Sequence, residues 1–375
     1  MSRPLEGIRI IEVGHMLAGP YCGLLLADMG AEVIKVEPAD GDIARRISPH
    51  YIGAHNAYFA SLNRNKKSIV LDLASPAGQE ALSHLVTNAH ALITNLRPSA
   101  IKKLGLTYDA LSRWNAKLVC VAVTGYGLEG PYADRPAYDY VVQAMTGVMT
   151  LTGEPDAAPT KAGYSVVDNS AGIMAALGLL AKIIHGQGGQ VDVAMYDVML
   201  SQLNYLAGAT LNAGERQERL ANSAHPYIVP AQIFRVADKW ITLFITHDKF
   251  WEKFCVELDR PSWLTDPRFA TMRARRENRE LVISSISNIL LTRSAHEWVQ
   301  RLAPLGVVIA EIGTLSEALE NDLTRSRGLV VDLDPEGESL RAIGSPIKFS
   351  DSEPQYGMPP LLDEHRATLF SEDLH

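Results

Sequence analysis

The chain has 375 residues, 47% of them hydrophobic and 21% charged, which is enough for two domains with sizeable cores and unlike a disordered polypeptide. Its net charge of −8 speaks against a general nucleic-acid binder, because phosphate backbones reward a clustered basic face. The 3 cysteines, Cys22, Cys120 and Cys255, are too scattered for a disulfide framework, and no CxxC or HExxH spacing offers a metal site, so the chain reads as a reduced, cytoplasmic protein without a metal.

The N-terminus runs directly into a strand-like segment, Ile8–Val13, without the charged, apolar and cleavage segments of a secretory signal. A helix is predicted over Gly19–Met29 and a second strand over Ala31–Val36. Ser68–Leu73 reads as a strand and Pro76–Ala89 as a helix with proline at its start. His90–Asn95 and Leu118–Thr124 supply two more buried strands. This alternation is the signature of βαβ units in a doubly wound, Rossmann-like parallel sheet. Ligands bind such sheets beyond the carboxyl ends of the strands, so the loops after Val13, Val36, Asn95 and Thr124 are the places to look. An apolar helix follows over Ile173–Ile184; Gly178 and Lys182 interrupt its apolar run, which is too short to imply a membrane span.

Composition shifts at Gly214–Pro230, a polar, proline-bearing stretch that reads as a linker (215–230) between a large domain (1–214) and a smaller α/β domain (231–327). The small domain carries a strand at Trp240–Ile245, a helix at Lys249–Leu258 and two helical segments within Ala274–Ala303. From Gly328 the prolines Pro354, Pro359 and Pro360 argue for an extended C-terminal arm, 328–375, that returns to the large domain.

Three stretches bear chemistry. Gly14, Gly19 and Gly23 sit between the first strand and its helix but lack the GxGxxG spacing of a dinucleotide site, and there is no Walker A sequence; NAD and nucleoside triphosphates are disfavoured. Asn95-Leu-Arg-Pro98, followed by Lys102 and Lys103, brings an amide and several cations to a strand's carboxyl end, which suits a phosphorylated or carboxylated ligand and equally describes a solvated helix face. Gly163-Tyr-Ser-Val-Val-Asp168-Asn-Ser-Ala-Gly172 sets one carboxylate against a helix start. Asp168 is there either an N-cap or a nucleophile beside N–H groups that can stabilise an oxyanion.

Several further motifs run through the chain in order: Leu17-Ala-Gly-Pro20, Leu26-Ala-Asp-Met-Gly-Ala-Glu-Val-Ile-Lys-Val-Glu37, Asn63-Arg-Asn-Lys-Lys-Ser-Ile-Val-Leu-Asp-Leu73, Asn95-Leu-Arg-Pro98, Gly188-Gly-Gln-Val-Asp-Val193, Asp266-Pro-Arg-Phe269 and Gly344-Ser-Pro-Ile-Lys-Phe349. With these the chain resembles the class III coenzyme A transferases, the CaiB/BaiF family, nearly end to end. The resemblance implies a Rossmann-like large domain with a smaller inserted domain, an interlocked homodimer, and acyl-CoA and a small carboxylate as substrates. It implies that Asp168 attacks the donor thioester to give an aspartyl anhydride, which CoA converts to an aspartyl-CoA thioester before the acceptor acid enters; covalent catalysis of this kind splits one difficult exchange into feasible steps. It further implies CoA contacts from His15, Met16, Leu17, Leu71, Asn95, Leu96 and Lys103, and a pair beside the nucleophile, Tyr138 and Asp139. Pro38 and Ala74 stand where some members carry a base on the CoA phosphates, which leaves Arg97, Lys66 or Lys67 for that work. The chain has no glycine run like the lid of formyl-CoA transferases. Related 2-methylacyl-CoA racemases pair the aspartate with a histidine in Gly-His-Asp; here the tripeptide is Ala137-Tyr138-Asp139, and a tyrosine with an ordinary pKa near 10 is a poor proton shuttle. A CoA-binding protein without turnover is the third reading. Succinyl-CoA with a small dicarboxylate is the favoured pair, Arg45, Arg46, His15 and His225 being the groups expected to meet a second carboxylate.

Overall fold

The computed structural model describes residues 3–334, 337 and 340–370, so the outermost ends of the predicted first domain and C-terminal arm lie outside the described residues, as do 335, 336, 338 and 339 of that arm. Two compact units emerge, one comprising 1–146, 162–214 and 322–375, the other 147–161 and 215–321. The stretch read as a linker thus lies in the second unit, together with 147–161.

The first unit is built on six strands, β1 (Arg9–Val13), β2 (Glu32–Glu37), β3 (Lys66–Val70), β4 (Ala91–Thr94), β5 (Val119–Thr124) and β6 (Gly189–Ala194). They lie in the order β3-β2-β1-β4-β5-β6, and every neighbouring pair is parallel. That is the strand order of doubly wound nucleotide-binding sheets, with its reversal between β1 and β4. Strands β4 and β5 are buried along their whole length, which explains why they read as continuous apolar runs rather than alternating ones. Strand β6 escaped the sequence reading because Gln190 and Asp192 alternate with half-buried Val191, as on a sheet edge.

Helix α1 (Ala18–Asp28) follows β1, α2 (Ala57–Asn63) precedes β3, and α3 (Pro76–Thr87), capped by Ser75, leads to β4. Beyond β4 comes the short α4 (Pro98–Lys103), beyond β5 comes α5 (Asp139–Met145), and α6 spans Val166–His185. The last begins seven residues before the predicted Ile173, so Asp168 lies inside its first turn. Val167, Ala171, Ala175 and Leu179 of α6 are buried at helical spacing. Its Gly172 is pressed so closely against α1 that a Cβ there would sit 2.8 Å from the Ala18 carbonyl oxygen. By length and composition alone α6 is long and apolar enough to cross a membrane, yet its buried stripe marks a helix packed on protein.

Residues of the C-terminal arm bind this unit. The Val70 N–H donates to Asp363 (2.7 Å), and the Arg45 guanidinium donates to the Pro360 carbonyl (3.0 Å). The second unit holds an antiparallel sheet of β7 (Ala231–Arg235), β8 (Trp240–Phe244) and β9 (Val308–Glu311), with β8 central. Its core stacks Trp251 on Trp263 and Trp263 on Phe269 beneath helices that include Asp248–Glu257, Arg279–Leu290 and Ala295–Leu302. The predicted pair of helices across Ala274–Ala303 is three, since Met272–Glu277 forms its own turn and a half.

Candidate active site

Every element of the site belongs to the first unit. At the reversal between β1 and β4 the loops Gly14–Leu17 and Asn95–Arg97 leave neighbouring strands in the same direction. One side chain joins them: Asn95 Oδ1 accepts the His15 N–H (3.0 Å) while its Nδ2 donates to the His15 carbonyl (2.9 Å). The glycines that fail the dinucleotide spacing serve this contact, because a Cβ at Gly14 or Gly19 would lie 2.5 or 3.0 Å from Asn95 Oδ1. Met16 then adopts φ 63°, a left-handed conformation unusual for a methionine, held by its N–H donating to Asp42 Oδ1 (3.1 Å).

Asp42 is anchored by charges buried under the loop. Lys35, fully buried, reaches Glu12 Oε1 (2.9 Å), Asp42 Oδ2 (2.9 Å) and the Gly14 carbonyl (3.0 Å). Lys66, also fully buried, donates to Glu12 Oε2, the Pro20 carbonyl and Asn63. Burial works to raise the Glu12 carboxyl, but the two ammonium groups outweigh it and hold it below the usual carboxylate range. Glu37 takes Arg45 in a bidentate pair and Ser68 as a third donor. These partners correct two expectations: buried Lys66 and half-buried Arg45 are engaged by Glu12 and Glu37 and line neither cavity described below. Lys67 is engaged by Glu32 (2.6 Å), and it pairs in the sheet near the amino ends of β2 and β3. His225 belongs to the second unit, where its Nδ1 accepts the Tyr227 and Ile228 N–H groups.

Asp168 is partly buried at the third position of α6. It does not cap the helix. Ser165 occupies the cap position without a side-chain bond, and the N–H groups of Val167 and Asp168 are taken by Asp139 Oδ2 at 2.7 and 3.4 Å. Asp139, itself buried, opens α5 and is braced by Gln143, which donates to its Oδ1 at 2.5 Å and accepts the Ala162 N–H at 2.8 Å. Desolvation first, and the Asp139 charge second, push the Asp168 carboxyl up to about 7. Nothing among the described residues hydrogen-bonds its side chain to offset this.

Two cavities meet at the loops. The larger, of about 680 Å³, lies beyond the carboxyl ends of β1, β2 and β3 and is lined by His15, Leu71, Leu96, Pro38, Ala74 and Arg46 among others. The smaller, of about 160 Å³, contains Asp168 with His15, Met16, Leu17, Asn95, Leu96, Arg97 and Tyr138. His15 and Leu96 line both. Lys103 lines neither and is exposed at the last turn of α4, and Asp139 lies behind Asp168 rather than on a cavity wall. The sequence reading passed over Tyr58. It lines the smaller cavity, and burial first and the Asp168 and Asp42 charges next push its phenol up. Its one local signal is the Asn56 cap, which accepts the Tyr58 N–H and opens α2; nothing in the chain connects it to a carboxylate far downstream. Arg135, stacked 3.8 Å over Tyr132, lines the same cavity and was also missed.

A cavity of about 680 Å³ thus adjoins, through the shared residues His15 and Leu96, a smaller one lined by the Asp168 carboxylate. The chain matches CoA-transferase family III over residues 5–366. It belongs to that family. This family III chain, a CoA-transferase, is 37% identical to succinate–glutarate CoA-transferase of Agrobacterium fabrum, over 98% of this chain and 95% of that protein. It is 32% identical to acetyl-CoA:oxalate CoA-transferase of Acetobacter aceti, over 98% and 95% of the two chains. The solved structure of a CaiB/BaiF family protein from Brucella suis superposes with a TM-score of 0.87 at 32% identity, covering 99% of this chain and 100% of that one. Among the described residues no group of three or more His, Cys, Asp or Glu side chains is placed to hold a metal ion.

Proposed function

We propose that this family III enzyme moves CoA from succinyl-CoA to a small dicarboxylate, with Asp168 as the nucleophile. The observation that carries the reading is the Asp168 carboxylate: partly buried, without hydrogen-bond donors among the described residues, and lining a small cavity that shares His15 and Leu96 with the larger one. In the first step an Asp168 oxygen attacks the thioester carbonyl, the C–S bond breaks, and the pair of electrons leaves with the CoA thiolate, giving an aspartyl anhydride. The thiolate returns to the aspartyl carbonyl and expels the donor acid, leaving an aspartyl-CoA thioester. The acceptor carboxylate repeats the sequence in reverse. In this assignment the nucleotide part of CoA occupies the larger cavity against Leu71 and Leu96, the pantetheine passes His15, Met16 and Leu17, and Arg46, expected from the sequence to meet a second carboxylate, is instead the cation at the nucleotide end, where it also pairs with Asp40 (2.8 Å). Arg97, Arg135 and the phenols of Tyr58 and Tyr138 line the space left for the acyl group and suit a second carboxylate. The relatives named for glutarate and for oxalate act on dicarboxylates, which supports the acceptor class.

A homodimer completes the proposal. The face of α6 away from its buried stripe exposes Ile173 at 50%, Leu177 at 59% and Ile184 at 85%, an apolar surface of the kind a second copy covers. Hydroxylamine added after succinyl-CoA should trap a hydroxamate at Asp168, located by peptide mass spectrometry. A screen of acyl-CoA donors against mono- and dicarboxylic acids then reads the pair. CoA exchange without any adduct at Asp168 would reject the covalent route, and exclusive use of monocarboxylates would reject the dicarboxylate assignment.

A further inference from the structure

We infer that Asp139 is a positioning residue for the transfer reaction: its carboxylate takes the N–H groups that open α6, leaving Asp168 without donors and facing a second negative charge. The inference rests on the reading of Asp168 as the nucleophile and assigns Asp139 a task other than contact with CoA.

A helix start offers unpaired N–H groups that hold a carboxylate ionised and lower its pKa. Asp168, at the third helical position, would ordinarily profit from them. Here Asp139 Oδ2 receives the Val167 N–H at 2.7 Å and the Asp168 N–H at 3.4 Å, so the donors are spent on a neighbour. Asp139 cannot turn away, because Gln143 donates to its other oxygen at 2.5 Å and is itself tied to the Ala162 N–H at 2.8 Å. The ionised Asp168 is therefore poorly solvated and repelled. Acylation removes both penalties, since the aspartyl anhydride and the aspartyl-CoA thioester are neutral at that carbonyl. Asp139 thus favours each covalent intermediate over the free carboxylate, and a carboxylate of raised basicity is also the better nucleophile. The other titratable groups around the cavity are His15 from the loop after β1, Tyr58 from α2, Arg97 before α4, and Arg135 and Tyr138 before α5. Burial first and the Asp139 charge second leave the Asp168 carboxyl raised to about 7.

The test is the pH dependence of kcat/KM for succinyl-CoA in the wild-type enzyme and in Asp139→Asn. The asparagine keeps one oxygen for the helix N–H groups and loses the charge. The expected result is an acid limb that moves at least one pH unit downward, a kcat at pH 8 reduced tenfold or more, and a KM changed less than threefold. A limb at the wild-type position would overturn the inference, whether or not kcat falls, since a purely structural cap lowers activity without moving the titration. Should Asp139→Asn fail to fold, Asp139→Ser, an uncharged side chain whose hydroxyl oxygen can accept from the helix N–H groups and from Gln143, is read in the same way. Hydroxylamine trapping in the wild type separates the two levels of failure. Without an adduct at Asp168 the nucleophile reading falls; with an adduct and an unmoved limb only the role of Asp139 falls.

Discussion

Replacing Asp168 with asparagine should abolish transfer and make the ligand-free protein more stable at alkaline pH. In the native state the carboxyl is raised from 3.8 to about 7, by desolvation first and the Asp139 charge second, so folding holds a proton that the unfolded chain releases. The sign follows directly. Well below pH 3.8 both states are protonated and this contribution vanishes. As the pH rises, the unfolded wild-type chain ionises freely while the native state cannot, and stability is lost until about pH 7, above which the difference is constant. The full shift corresponds to ~4 kcal/mol at 1.36 kcal/mol per pH unit, and solvent entering at the cavity mouth brings it to about 2–3 kcal/mol. Asparagine matches the protonated carboxyl in shape and carries no charge, so Asp168→Asn should escape this penalty. Urea unfolding of both proteins at pH 5.5 and pH 8, at one protein concentration because the apparent stability of the proposed dimer would vary with it, reads the gap. The gap at pH 5.5 should be about half that at pH 8 for the full shift, and about 0.7–0.9 of it for the discounted gap of about 2–3 kcal/mol. Equal gaps at the two pH values, or an Asp168→Asn protein less stable than wild type at pH 8, would refute the electrostatic reasoning.

Gly14→Ala places a methyl 2.5 Å from Asn95 Oδ1, so it should break the bridge between the loops after β1 and β4. We expect a cost of about 1–3 kcal/mol in urea unfolding and a KM for acyl-CoA raised at least fivefold. Glu12→Gln leaves Lys35 and Lys66 buried without their shared carboxylate and should destabilise the protein by about 3–5 kcal/mol, measured by the same unfolding. A loss under 1 kcal/mol would mean that the remaining carbonyl and carboxylate partners suffice.

Much of the first unit was legible because its signals are local. Proline and Ser75 mark the start of α3, and unbroken apolar runs mark β4 and β5. Edge strand β6 was not, since Gln190 and Asp192 break the run. The start of α6 was misplaced for a different reason: the polar triplet Asp168-Asn-Ser looks like a cap, whereas the group that satisfies the helix start is Asp139, from another helix. Lys66 looked like a phosphate ligand because a lysine in sequence carries no mark of burial.

The amino-acid order by itself determined the alternation of strands and helices, the family likeness and the singling out of Asp168, because periodicity, caps and ordered motifs are written along the chain. The tertiary structure alone decided the strand order, the junction of two cavities at His15 and Leu96, and the environment of Asp168. Charge and solvation act through space. Tyr58 and Asp139 reach Asp168 from separate helices, and no pattern along the chain encodes that they meet there.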